Sequence, residues 1–127
     1  MILGIGIDII EVDRIQSSHE RFGERFLKRI LHPKEIEYCL SHKSPAPFLA
    51  ARFAAKEAMS KACGTGIGAH LSWQDIEVGR KESGEPFVIL HGAGLELLRQ
   101  RGARAMLISL SHTANHAAAV AILESNA

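Results

Sequence analysis

Several residues of this chain have the type and spacing to work on a phosphate. Asp8 stands in an otherwise apolar opening segment, residues 1–10, where a carboxylate is costly to bury without a partner. It suits a hard cation, because magnesium takes one or two carboxylates together with phosphate oxygens and waters. It equally suits the N-cap of a helix that starts near residue 10, and spacing alone favours the cap. Farther on, Arg52, Lys56 and Ser60 fall on one line of a helix, and Glu57 and Lys61 on the adjacent line. One stripe therefore gathers three cations and a carboxylate. Its plainer explanation is a solvated face on which Glu57 and Lys61 form an i,i+4 pair contributing about 0.2–0.5 kcal/mol. The loop Gly64-Thr65-Gly66-Ile67-Gly68 follows. Its N–H groups could face a phosphate, although it matches neither a Walker nor a Rossmann fingerprint, and a glycine-rich helix exit is the commoner use.

Two further groups of side chains belong with these. His112, in Ser109-Leu110-Ser111-His112-Thr113, ends a candidate strand with donors that could reach a phosphate. A lone histidine there is more often structural. His112 and His116 also have the spacing of a zinc pair, but no cysteine pair accompanies them and zinc is not expected there. Arg14, Arg21, Arg25, Lys28 and Arg29 recur at helical intervals, diluted by Glu20 and Glu24. They make either a solvated face or a docking stripe for an acidic helix. The net charge is only +1, so nucleic acid is not an expected partner and any electrostatic function must be local.

These residues need elements to hold them. With 127 residues, the chain suits one domain, 1–127. A domain so small builds a deep pocket for a long ligand with difficulty, which hints at oligomerisation. The composition, 46% hydrophobic and 23% charged, is that of a soluble globular protein. Cys39 and Cys63 lack a CxxC arrangement and read as reduced thiols of a cytosolic protein. The apolar N-terminus has no basic region before it and contains Asp8, so neither a signal peptide nor a membrane span is expected.

Residues 1–9 read as a strand, with Met1, Leu3, Ile5, Ile7 and Ile9 on one face and Ile2, Gly4, Gly6 and Asp8 on the other. Glycines in a strand often mark close approach of a ligand or another backbone. Residues 11–31 read as helix in two pieces around Gly23, and residues 33–41 as a short helix opened by Pro33. An alanine-rich helix follows at 47–63 and stops at Gly64. Residues 74–80 and 86–90 form a hairpin, 92–101 a helix ended by Gly102, and 104–111 and 116–123 a second strand pair. The last strand is apolar on both faces, which places it centrally in a sheet or against another subunit.

Taken in order, these segments resemble one family. Gly4-Ile5-Gly6-Ile7-Asp8-Ile9-Ile10-Glu11-Val12-Asp13-Arg14-Ile15 is similar to the opening motif of holo-acyl-carrier-protein synthases. Phe53-Ala54-Ala55-Lys56-Glu57-Ala58-Met59-Ser60-Lys61-Ala62 resembles their second motif, and residues 109–113 resemble the third. The resemblance implies a 4′-phosphopantetheinyl transferase of the short bacterial type, cytoplasmic and serving fatty acid biosynthesis. Its fold would be α+β, an antiparallel sheet with a long packed helix, assembled as a homotrimer with active sites between subunits. Its reaction would move 4′-phosphopantetheine from coenzyme A to a serine of acyl carrier protein, leaving 3′,5′-ADP. By the same resemblance, Asp8 and Glu57 would hold Mg2+ and Lys61 would meet a phosphate; Glu57, directly or through a metal-bound water, is the candidate general base, with a water held by Asp8 as the alternative. Arg52, Gly64, Gly66 and His112 would join Lys61 in binding coenzyme A, and Arg14, Arg21 and Arg25 would dock the carrier protein. Two other readings stay open: a metal-dependent coenzyme A or nucleotide phosphotransferase with a small acceptor, and a trimeric binding module without catalysis.

Overall fold

The computed structural model describes residues 1–126. Its elements run β1 (Ile2–Glu11), α1 (Val12–Phe22), α2 (Glu24–Ile30), α3 (Pro33–Leu40), α4 (Ala46–Ala62), β2 (Ile76–Arg80), β3 (Pro86–Leu90), α5 (Gly92–Gln100), β4 (Ala103–His112) and β5 (His116–Ser125), with a single 3-10 turn at Trp73–Asp75 before β2. The fold is α+β, with two antiparallel sheets: a three-stranded one in the order β1-β5-β4 and the hairpin β2-β3. The element boundaries agree closely with the sequence expectations, and β5 takes the central place that its apolar faces demand.

The packing of β1 on α4 follows from two glycines. A Cβ built on Gly4 would lie 2.0 Å from the Ala62 carbonyl oxygen, and one on Gly6 would lie 2.0 Å from that of Ala58. Both obstructions are helix backbone, which cannot swing away as a side chain can. Glycine thus lets the strand touch the helix backbone itself. The helix contributes Ala51, Ala54, Ala55, Ala58 and Ala62, all fully buried, whose small side chains keep β5 equally near. Beside them Met59, Leu71, Ile76, Val78 and Leu123 complete one core. A second core forms where Val12, Ile15, Leu27, Ile30, Leu31, Cys39 and Leu49 bring α1–α3 against the start of α4. Burying a side chain such as Leu49 contributes about 1.5–3 kcal/mol.

Strand β1 departs from strict alternation near its start. A register shift against β5 between Ile2 and Gly4 turns Leu3 toward the core, whereas the sequence pattern put it on the opposite face. Ile5, Ile7 and Ile9 keep the expected face and are exposed at 67%, 66% and 69%. Across the sheet they line up with Ile122, Val120 and Ala118 of β5, and Leu107 of β4 continues the row through Ile122. The outer face of the sheet is therefore an apolar surface.

Helices α1 and α2 part at Gly23, whose φ of +59° is left-handed and whose N–H closes on the His19 carbonyl at 2.8 Å. Helix α3 starts at Pro33, where Glu35 accepts the His32 backbone N–H at 2.8 Å. Both cysteines are free, and burial raises the Cys39 thiol to about 11, so it stays protonated at neutral pH. No described helix is long and apolar enough to cross a membrane.

Candidate active site

Asp8 is not a helix cap. It lies within β1, paired with Ala119 of β5, and Glu11 takes the position before α1. Two residues before it, Gly6 sets the strand against α4, and this contact carries Asp8 to the exposed edge of that helix. There the Lys61 ammonium donates to the Ile7 carbonyl at 2.9 Å and to Asp8 Oδ1 at 3.2 Å. Lys61 thus pairs with Asp8 of β1, and the i,i+4 pair expected with Glu57 is replaced by one between two elements. The Lys61 side chain stays half exposed, at 50%, while that of Asp8 is 17% exposed. Its ammonium can therefore turn to a ligand without a large desolvation cost.

Glu57, one turn earlier on α4, faces the same place. Burial pushes its pKa up, the Asp8 charge pushes it up further, and Lys61 pulls it partly back. Two carboxylates share the locality with one ammonium, leaving one unit of negative charge. Their mutual repulsion is the condition that a bound cation relieves, and carboxylate oxygens are what a hard divalent ion prefers. The donor set fits Mg2+.

The rest of the expected stripe is not solvated. Arg52, Lys56 and Ser60 are buried. Lys56 donates to Glu35 Oε1 at 2.8 Å, to the Ile30 carbonyl at 2.7 Å and to the Trp73 carbonyl at 3.3 Å. Glu35 Oε2 in turn accepts the Val78 N–H at 3.0 Å. Burial lowers the Lys56 pKa, and Glu35 opposes that shift. This pair ties α3, α4 and β2 together beneath the Asp8–Glu57 face. Sequence reasoning missed Glu35, whose only signal was its place as the third residue of α3, three after His32.

Arg52 and His112 meet at a cleft of about 310 Å³, lined also by Tyr38, Phe48, Arg80 and Ser111. The Arg52 guanidinium lies over the Tyr38 ring, 4.4 Å from its centroid, and Arg80 over the same ring at 4.9 Å. His112 meets Phe48 edge-on at 4.8 Å. Arg52 Nε is buried with no hydrogen-bond partner, and an unsatisfied buried donor is costly. Two guanidinium groups, an imidazole and a hydroxyl around one recess make an anion site. Tyr38 and Arg80 were not among the sequence-derived candidates, since neither sits in a motif.

The Gly64–Gly68 loop works differently from the expectation. The N–H groups of Gly64, Thr65 and Gly66 bond to the carbonyls of Lys61, Ser60 and Ser60 and close the helix, and that of Gly68 bonds to the Leu71 carbonyl beyond it. The openness that remains is steric, since nothing lies within 4 Å of a Cβ built on Gly66 or Gly68. Arg14, Arg21 and Arg25 are all exposed, but on two helices, α1 and α2, with Gly23 between them. A recess of about 500 Å³ lies beside them, lined by Ser18, Phe22, Arg25, Phe26 and Arg29. His112 and His116 belong to no cluster of metal-ligating side chains among the described residues.

The family model of the 4′-phosphopantetheinyl transferase superfamily matches residues 4–121, which takes in β1, α4 and the strand that ends at His112. The chain belongs to this superfamily. Among its relatives is the holo-[acyl-carrier-protein] synthase of Koribacter versatilis, 50% identical over 124 residues that cover 98% of this chain and 99% of the relative. The crystal structure of the holo-[acyl-carrier-protein] synthase of Neisseria meningitidis superposes with a TM-score of 0.90 at 36% identity, covering 98% of this chain and 100% of that one. That of Helicobacter pylori, solved in complex with coenzyme A, gives a TM-score of 0.84 at 37% identity and covers 94% and 99%.

Proposed function

We infer that this transferase moves 4′-phosphopantetheine from coenzyme A to the hydroxyl of a serine on apo acyl carrier protein, releasing 3′,5′-ADP. The observation that carries the reading is the convergence of Asp8, Glu57 and Lys61 where β1 crosses α4, within a chain of this superfamily. Asp8 and Glu57 would hold Mg2+, which when bound polarises the phosphoryl group and offsets charge on the departing 3′,5′-ADP.

The side chains do the remaining work. Lys61 presents its ammonium to the pyrophosphate, a clamp of the kind that phosphoryl transfer relies on more than on covalent help. The serine oxygen forms its bond to phosphorus as the bond from phosphorus to 3′,5′-ADP breaks. The serine proton passes to Glu57, directly or through a water. Arg52 and His112, in the cleft with Arg80, hold a phosphate of coenzyme A. Gly64 and Gly66 leave the space beside Lys61 free of side chains. Arg14, Arg21 and Arg25 receive the acidic helix of the carrier protein, acting mainly on association rate and salt dependence.

The apolar outer face formed by Ile5, Ile7, Ile9 and Leu107 supports assembly of the 1–127 domain into a homotrimer, which would hide that face and bring active sites to the subunit junctions. A cytoplasmic place in fatty acid synthesis accords with this reaction. Intact-mass spectrometry of apo acyl carrier protein with this chain, coenzyme A and magnesium tests the reading. The expected result is a gain of one phosphopantetheine that disappears with EDTA and with a carrier whose acceptor serine is alanine. No gain on any of several carriers, from a chain that binds coenzyme A, would overturn it.

A further inference from the structure

Away from the Asp8–Glu57–Lys61 locality, three segments distant in sequence bring His32, Glu77 and His91 together, with their ligating atoms all within 4.8 Å of one another. His32 precedes α3, Glu77 lies in β2, and His91 precedes α5. The hairpin register sets Glu77 opposite Ile89, and the His91 N–H bonds to the Asp75 carbonyl at 2.8 Å, which fixes the far end of the hairpin.

We propose that His32 Nδ1, Glu77 Oε1 and His91 Nε2 form a binding site for a borderline transition-metal ion of the zinc type. Three features point to it. First, the spacing fits. Glu77 Oε1 lies 2.8 Å from His91 Nε2 and 3.7 Å from His32 Nδ1, and these values bracket the about 3.3 Å that separates neighbouring donors around tetrahedral zinc. Secondly, His32 is oriented for ligation. Its Nε2 lies 2.9 Å from the Gln74 carbonyl oxygen, which only accepts, so Nε2 carries the proton. The neutral ring, the form that ligates a metal, turns its Nδ1 lone pair toward the Glu77 carboxylate, and a cation between the two resolves that opposition. A backbone carbonyl on the far ring nitrogen is the usual outer partner of a metal-bound histidine.

Thirdly, the site is enclosed on one side and open on the other. The Glu77 side chain is 10% exposed, whereas that of His91 is 42% exposed, so a water can complete the coordination from solvent. The two imidazoles stack at 4.6 Å between centroids and 24° between planes, so the more exposed His91 ring rotates for both lone pairs to meet one ion. On binding, the ion displaces the proton between His91 Nε2 and Glu77, and the ring ligates as its neutral Nδ1–H tautomer, any excess proton passing to water. The ligands are imidazole and carboxylate with no thiolate, a set that suits zinc better than magnesium. A bound ion would staple the α2–α3 junction to the β2–β3 hairpin, next to the buried Lys56–Glu35 pair.

Zn2+ titration of the metal-free full-length chain at neutral pH, read by competition with a chromophoric chelator, tests the site. Co2+ absorption and thermal melts accompany it. The expected result is one equivalent of Zn2+ per chain, with a higher Tm and the absorption of a low-coordinate nitrogen–oxygen Co2+ complex. His91→Ala and His32→Ala, each checked for the parent's circular dichroism spectrum, should each lose at least about tenfold in affinity, the lower end for disturbing even an outer partner of a ligand. They should also lose the rise in Tm. Asp8→Asn should bind Zn2+ as the parent chain does. Absence of stoichiometric binding, or binding that follows Asp8→Asn and ignores both histidine changes, would overturn the proposal.

Discussion

Gly6→Ala is the sharpest test of how this fold places its site. The added Cβ would sit 2.0 Å from the Ala58 carbonyl oxygen, 2.8 Å from the Ala62 nitrogen and 2.9 Å from the Ala58 carbonyl carbon. An ordinary contact needs about 3.4 Å, so β1 and α4 must separate by more than an ångström along the line to that oxygen. Overpacking of this kind costs about 1–3 kcal/mol, and the rigid helix backbone puts this case at the upper end. The same displacement carries Asp8 away from Glu57 and Lys61, and a shift of about 1 Å in a catalytic group can cost 100-fold in rate. Gly68→Ala is the control: it meets nothing within 4 Å and its φ lies outside the left-handed range, so it should stay within about 0.5 kcal/mol of the parent. Urea unfolding at matched protein concentration, together with kcat/KM, reads both effects. A Gly6→Ala chain with an unchanged midpoint and unchanged kcat/KM would refute the reasoning that glycine at this position holds strand, helix and carboxylates in place.

Three further outcomes are expected. Lys56→Met removes the ammonium paired with Glu35 and should cost about 3–5 kcal/mol in urea unfolding, much of it recovered when Glu35→Gln is added. Because burial and Asp8 raise the Glu57 pKa above 4.5, the folded chain holds that proton more tightly than the unfolded one. Glu57 therefore opposes folding at neutral pH, and this contribution fades as pH falls through its raised value. Carbon-detected NMR titration should find the Glu57 midpoint above 4.5 and lower in Asp8→Asn. Reversing Arg14, Arg21 and Arg25 to glutamate should raise the KM for carrier protein far more than that for coenzyme A, with a weaker salt dependence. Equal changes in both constants would argue against docking there.

Much of the fold was legible because its signals are local. Gly23, Pro33, Gly64 and Gly102 mark boundaries by backbone chemistry, and β5 announces its central position by lacking a polar face. The two glycines before Asp8 indicated close approach in β1, and the partner turned out to be the backbone of α4. The burial of Arg52 and Lys56 was not legible. Along α4 alone they look like the polar side of a surface helix. What makes them interior residues is Tyr38 and Glu35 of α3 and the Trp73 carbonyl, groups that meet them only through tertiary packing. Asp8 was ambiguous for the same reason, since a cap and a cation ligand differ in whether the chain continues as strand or helix past it. Here β1 runs three residues farther, to Glu11. His32, Glu77 and His91 come from three elements and share no spacing that a sequence pattern can register. The loop glycines misled in the other direction, for the N–H groups of Gly64 and Gly66 close the end of α4 and that of Gly68 turns to Leu71.

The central claim is that Asp8 and Glu57 form the machinery of phosphopantetheine transfer. It is tested most directly by single-turnover intact-mass measurements on the parent chain and on the Asp8→Ala and Glu57→Ala variants, each with apo acyl carrier protein, coenzyme A and magnesium. Each variant should retain the parent's circular dichroism spectrum and form holo carrier protein at least about 100-fold more slowly, the usual scale for losing a preorganised electrostatic or acid–base group. Unimpaired transfer by both folded variants would contradict the account.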